Sequence, residues 1–309
     1  MHEERKLTSK LAADLARDYA NHQQVLANIL QPFAKLKAQP KDLNVAKFKI
    51  REIVRRLDVI AVKWSRSAIA EAYKAKRAEA KPLAQKAAVF PTFKKLDPEK
   101  ENVERLILKA AENLISTNAS IEKTCSNFLM AYGTAISGIN AVRQNKEIQF
   151  MSGDMEAEIT RKVEYYIARG YDEGSISRKL RDYLSELVGG KNFIEINGRF
   201  YELKSWAENM ARSELHKSYV QATIDEAKQY DCDLLQMSRH DSPCDLCGPL
   251  EGMVFSISGE DEDFPPLDDT VTVDTPKGPV EIDPKFPHYQ CEHNLNPVTR
   301  NILRAAGEL

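Results

Sequence analysis

VERLILKAAENLISTNASIEKTCSNFLMAYGTAISGINAV, residues 103–142, sets the fold class of the N-terminal half. Val103, Ile107, Ala110, Leu114, Ile121, Cys125, Phe128, Tyr132, Ala135, Ile139 and Val142 mostly recur in steps of three and four. That spacing puts them on one face of a helix. One irregularity, around residues 117–120, interrupts the near-heptad stripe. A stripe this long needs an apolar partner, and two upstream segments offer one. Residues 4–32 place Leu7, Leu11, Leu15, Tyr19 and Val25 near helical spacing. Residues 45–81 do the same with Phe48, Ile53, Val54, Leu57, Ile60 and Trp64. Pro32 and Pro40 bracket a break between these two segments, and Pro82 is expected to end the second. The expected architecture is a long helical hairpin over residues 1–148.

Downstream the pattern changes. Residues 155–169 and 175–187 read as two short helices parted by Gly170, with Gly189 and Gly190 closing the second. FIEINGRFY, residues 193–201, alternates around Asn197-Gly198, a hairpin signal because a type I′ turn needs positive φ at both central residues. A helix over 205–230, a strand over 234–239, a hairpin from 271–273 and 280–282, and a terminal helix over 296–306 complete the reading. The fold class is therefore α+β: a mainly helical N-terminal half, then a small α+β domain over residues 149–309.

Charge divides along the same line. Residues 1–100 carry 22 Lys and Arg against 11 Asp and Glu, whereas residues 101–309 carry 22 against 35. Such asymmetry suggests two parts with different partners. The basic run includes Lys47, Lys49, Arg51, Arg55, Arg56, Lys63, Arg66, Lys74, Lys76 and Arg77. These are candidates for contact with nucleic-acid phosphates or with an acidic protein surface; a solvated helix face is the plain alternative. No apolar run reaches the roughly 18 residues of a membrane span. The polar start MHEERKLTSK lacks the apolar core of a secretory signal.

The five cysteines are too few for a disulfide scaffold, but three of them cluster. DSPCDLCGPLEGMVF, residues 241–255, holds Cys244 and Cys247, and FPHYQCEH, residues 286–293, holds His288, Cys291 and His293. Two close ligand pairs, Cys-x-x-Cys and His-x-x-Cys, can close the tetrahedral shell of a structural zinc. His293 and His240 are spare donors, and either could replace His288. A redox Cys-x-x-Cys would need a βαβ context that this segment lacks. A deaminase-type catalytic zinc would need His-x-Glu on the preceding helix, which instead reads Glu214-Leu-His216. No nucleotide-binding, hydrolase or metalloprotease motif is present, so no catalytic residues are assigned. Arg212, Glu214 and His216 on that helix, with Asp241, form a candidate structural polar cluster.

Taken in order, these features resemble a known family. ARSELHKSYVQA (residues 211–222), a strand, the Cys-x-x-Cys segment with Gly252 and Phe255, and the late Phe-Pro-His-x-x-Cys are similar to the Mu F-like minor head proteins of tailed bacteriophages. The likeness covers residues 150–300. His293 stands where the family pattern has a second cysteine, and the acidic stretch 260–283 is an insertion. The resemblance implies a non-enzymatic virion protein at the portal vertex inside the head. It implies assembly in the host cytoplasm, and a part in head assembly and in DNA packaging, retention or delivery. The partners it implies are the portal protein and packaged double-stranded DNA, with no membrane. The alternative is a zinc-dependent enzyme acting on nucleic acid, with Glu214 or His216 as acid or base.

Overall fold

The computed structural model describes residues 2–39, 41–87, 99–144, 154–189, 192–196, 199–240, 243–276, 278–288, 291 and 293–308. The expected connector around Pro91 and Pro98, the linker 145–153 and the Asn197-Gly198 turn lie outside them. The chain is mostly helical. Helix α1 spans His2–Ala34 and α2 spans Asp42–Trp64, which a π-helical turn at Ser65–Ile69 joins to α3 (Ala70–Ala87). Helix α4 runs from Glu99 to Gln144, followed by α5 (Asp154–Ala168) and α6 (Glu173–Gly189). The hairpin β1 (Asn192–Ile196) and β2 (Arg199–Glu202) precedes α7 (Leu203–Gln229). Then come β3 (Leu234–Met237), β4 (Val254–Ser256), the hairpin β5 (Val271–Thr275) and β6 (Gly278–Ile282), β7 (Leu295–Val298) and α8 (Arg300–Ala306).

The fold forms two compact units, each assembled from several separate stretches of sequence. One holds residues 14–61 and 112–207. Its core joins Leu15, Tyr19, Leu26 and Leu30 of α1, Ile50 and Leu57 of α2, and Leu114, Ile121, Cys125 and Tyr132 of α4. Phe33 meets the edge of Tyr132 at 5.1 Å, and the Tyr132 hydroxyl donates to the Ala38 carbonyl at 2.6 Å. Burial pushes the Cys125 thiol up to about 12, so it behaves as a small apolar residue. Val25 and Phe48, expected on the apolar faces, are exposed instead, and Leu26 and Ile50 are buried.

The break in the α4 stripe has a physical cause. At its centre sits Asn118, fully buried. Its Oδ1 accepts from the Tyr19 hydroxyl at 2.8 Å and its Nδ2 donates to Asp58 at 2.8 Å. One polar side chain thus ties α4 to both α1 and α2. Replacing it orphans a buried hydroxyl and removes a donor from a carboxylate. Asn118→Ala is expected to cost about 2–3 kcal/mol. That should appear as a lower denaturation midpoint at unchanged slope; an unmoved midpoint would show the network to be dispensable.

The other unit holds residues 1–13, 62–111 and 208–309. The Trp64 indole donates to the Leu11 carbonyl at 2.9 Å. Helix α3 continues past Pro82 to Ala87, which corrects the expected end. Proline there frees the carbonyl of Ala78, and Ala78 is exposed, so water can satisfy it. Ala84 and Ala87 are buried beyond it. The sheet is antiparallel in the order β4-β3-β7. Residues 296–298, read from sequence into a terminal helix, belong instead to β7 and pair with β3. Pro297 is tolerated because β7 lies at the sheet edge. The helix starts only after Thr299, whose Oγ1 caps the Ile302 N–H. Below the sheet, Val220, Ile224 and Ala227 of α7 share a core with Leu235, Met237, Leu250, Phe255 and Leu295.

Candidate metal centre

Three strand ends converge at one edge of the sheet. Met237 pairs with Leu295, and Gln236 pairs with Val254. The chain leaving β3 and the chains entering β4 and β7 therefore lie together. Ser238 locks the β7 side: its N–H donates to the Asn294 carbonyl at 2.8 Å, and its Oγ accepts the Asn294 N–H at 2.9 Å. Gly252 locks the β4 side, its N–H donating to the Met237 carbonyl at 3.0 Å. It has φ +78, a conformation that strains L side chains, and a Cβ there would also push the Arg239 guanidinium, 2.6 Å away, aside, so glycine is favoured.

The donors sit on this edge. Residues 244–247 form a tight turn, with the Cys247 N–H 3.1 Å from the Cys244 carbonyl and 3.4 Å from its Sγ. Cys247 Sγ lies 3.7 Å from Cys291 Sγ, and Cys291 Sγ lies 3.7 Å from His293 Nδ1. His288 Nε2 lies 3.2 Å from Cys244 Sγ and 3.0 Å from Cys247 Sγ. The sequence-predicted donors thus gather into two triads sharing Cys247: Cys244, Cys247 and His288, and the buried Cys247, Cys291 and His293. Cys244 is exposed.

The buried thiols are electrostatically coupled. The Cys291 thiol is pushed well below the usual range, chiefly by the Cys247 hydrogen bond, while Cys247 is pushed far up by the same bond and by burial. Two soft thiolates with an imidazole at hand suit zinc. An ideal zinc tetrahedron has sulfur–sulfur edges of about 3.8 Å and sulfur–nitrogen edges of about 3.6 Å. Both 3.7 Å separations match, so the residues fit a metal.

Outside the donors stands Glu251. Its Oε1 lies 2.7 Å from His293 Nε2 and accepts the His240 N–H at 2.8 Å. Its carboxyl is held below the usual range, first by the His293 hydrogen bond. Nothing in the sequence singled this glutamate out, because its role depends on the convergence of strands. His240, a spare donor in the sequence, places Nε2 3.2 Å from Ser238 Oγ, its ring tilted on His293 at 4.3 Å.

Three residues of the expected polar cluster, Arg212, Glu214 and His216, are among those described. Arg212 pairs with Glu208 at 2.9 Å, and the buried Glu214 pairs with Lys217 at 2.6 Å. His216 packs edge-on to Phe286, with centroids 6.3 Å apart. Burial, helped by Lys76, pushes its pKa down to about 4, so it is neutral at pH 7. Asp241 lies outside the described residues.

The basic residues also divide. Lys49, Arg51, Arg55, Arg56, Lys63, Arg66 and Lys74 are exposed, and Lys47 is half-buried. Arg51 pairs with Glu122 at 3.0 Å and Arg55 with Glu52 at 2.9 Å. Lys76 and Arg77 turn inward. Lys76 is buried beside Glu79, and Arg77 holds Glu226 at 2.6 Å and bonds Gln229.

Residues 186–307 match the family model of phage minor capsid protein 2. This C-terminal region, less than half of the chain, is similar to phage minor capsid proteins. The match opens near the end of α6, closes just after α8 and takes in every donor of the candidate centre. Helices α1 to α4 lie outside it. No curated protein and no solved structure matches the chain. The family supports a structural capsid role over an enzymatic one, a place in the virion, and assembly with other phage head proteins. No helix among the described residues is long and apolar enough to cross a membrane.

Proposed function

We propose that the chain is a minor head protein of a tailed bacteriophage, of the Mu F-like kind. In this reading it sits at the portal vertex, inside the head, after assembly in the host cytoplasm. It assists head assembly and the packaging, retention or delivery of DNA. A zinc ion held by the Cys/His edge fixes the sheet. One observation carries the reading: the capsid-family match takes in all five donors, so the family region and the candidate centre coincide. The zinc would be structural, adding its binding free energy to folding.

The division into a basic arm over residues 1–148 and a family domain over 149–309 belongs to the same proposal. The exposed Lys49, Arg56, Lys63, Arg66 and Lys74 would face packaged DNA or an acidic portal surface. Residues 232–309 carry 5 Lys and Arg against 15 Asp and Glu, which keeps that end away from phosphates. No observation favours the enzyme alternative: Glu214 is buried against Lys217, and His216 is packed on Phe286.

The test combines portal capture with DNA binding. The full chain should co-purify with the portal protein of the same phage. It should also bind random-sequence duplex with steep salt dependence and no sequence preference. Replacing Lys63, Arg66 and Lys74 by Glu should lower the slope of log K against log salt by about 2.7, at 0.9 per phosphate lost. An unchanged slope would assign these residues to a protein surface. Failure to capture portal and DNA alike would sink the proposal.

A further inference from the structure

We infer that His293, and not His288, is the nitrogen ligand at the Cys/His edge, and that Glu251 is the residue that positions it. The inference rests on the metal reading above.

Both nitrogens of His293 are committed in the sense a ligand requires. A carboxylate only accepts, so Glu251 at 2.7 Å fixes the proton on Nε2. Nδ1 then keeps its lone pair, and it faces Cys291 Sγ at 3.7 Å. Metal-bound histidines almost always donate their other N–H to a carboxylate, a carbonyl or water, which fixes the ring and raises its basicity. Glu251 is itself anchored by the His240 N–H and by the Gly252 turn behind it.

Distances separate the two histidines. The 3.7 Å from His293 Nδ1 to sulfur agrees with a tetrahedral edge of about 3.6 Å. The 3.0 and 3.2 Å from His288 Nε2 are too short for such an edge and suit direct sulfur–nitrogen hydrogen bonds to the thiols. Burial agrees: His293 is 7% exposed, whereas His288 is only half-buried. The buried triad Cys247, Cys291 and His293 then supplies three ligands, and Cys244, gathered with Cys247 in the other triad, closes toward them as the fourth when metal binds, while His288 hydrogen-bonds the thiols.

Cobalt(II) replacing zinc in the full-length protein reads the ligand set directly, through its visible absorption. His288→Ala should keep the three-sulfur, one-nitrogen spectrum and the affinity. His293→Cys should keep the metal but shift the spectrum to four-sulfur character. Glu251→Gln should weaken the metal about 10- to 100-fold at an unchanged far-ultraviolet circular dichroism spectrum, with Glu251→Asp recovering part of the loss. A spectrum that moves in His288→Ala and stays fixed in His293→Cys would overturn the assignment while leaving the metal reading intact. Unchanged affinity in Glu251→Gln would remove the positioning role. If the wild-type chain takes up neither cobalt nor zinc, the metal reading itself falls.

Discussion

Cys247→Ser is expected to abolish metal binding and to unfold the edge where β3, β4 and β7 meet. Cys247 belongs to both donor triads, and its side chain is almost wholly buried. No other residue is shared, so no alternative shell survives its loss. The three strands have only four, three and four residues, which cannot supply much stability alone. Structural zinc contributes an apparent 10–16 kcal/mol in small zinc domains, and that binding energy is folding energy. The shorter, harder serine hydroxyl would also disturb the 3.7 Å contact with Cys291 Sγ. Native mass spectrometry should count one zinc in the wild-type chain and none in the variant. Hydrogen exchange should show protection lost over residues 234–298 and kept over residues 14–61 and 112–144. A chelator should reproduce the pattern in the wild-type chain. Full protection in metal-free protein would refute the structural-zinc reading.

Asp225→Ala is expected to cost about 3–4 kcal/mol, from a site with no donor to metal. Asp225 lies on α7, 6% exposed. Its carboxylate accepts from the Tyr73 hydroxyl at 2.5 Å, from Asn102 Nδ2 at 3.0 and 3.1 Å, and from Gln221 Nε2 at 2.8 Å. One side chain thus gathers donors from α3, α4 and its own helix. Alanine would leave a hydroxyl and two amides short of an acceptor, and each buried orphan costs about 1–3 kcal/mol, less where water reaches it. Asp225→Asn retains the size and one acceptor, and should lose about half as much. Urea titration of both variants with metal bound checks this. Equal stability of wild type and Asp225→Ala would mean that the helices repack around the gap. The neighbouring Glu226–Arg77 pair should be left in place, since its partners are different.

Much of the helical fold could be read from spacing. The stripe from Val103 to Ile139 marked α4, and its one fault marked Asn118, although periodicity could not say that a polar knot fills the gap. Pro82 misled because proline breaks a helix only where the freed carbonyl has nowhere to go, and exposure is a tertiary property. Strand β7 misled for a related reason: Asn-Pro-Val reads as a helix approach until β3 supplies a ladder. At the centre, the donor types and their spacing were legible, since Cys-x-x-Cys and His-x-x-Cys are local patterns. The choice among histidines was not. It turns on Glu251, which lies 42 residues from His293 in sequence and 2.7 Å away in the fold. The basic run was legible as charge, but burial of Lys76 and the inward turn of Arg77 depend on which helix face meets α7.

The strand order β4-β3-β7 carries a kinetic consequence. Strand β4 follows β3 closely in sequence, so that pairing closes a short loop; β7 must return across residues 257–294. Loop closure grows costlier with length, and non-local pairing slows folding. The Cys244-x-x-Cys247 turn can therefore take up an ion early, as a loose two-sulfur complex, while the rest of the donor set is still diffusing. The acidic stretch 260–283 lies on the tether that must be reeled in, so its self-repulsion should lengthen the search at low ionic strength, and screening by salt should shorten it. Arrival of β7 is then the step that turns an exchangeable ion into a trapped one. Salt should speed refolding of this edge even where it weakens attachment of the basic helices to phosphates.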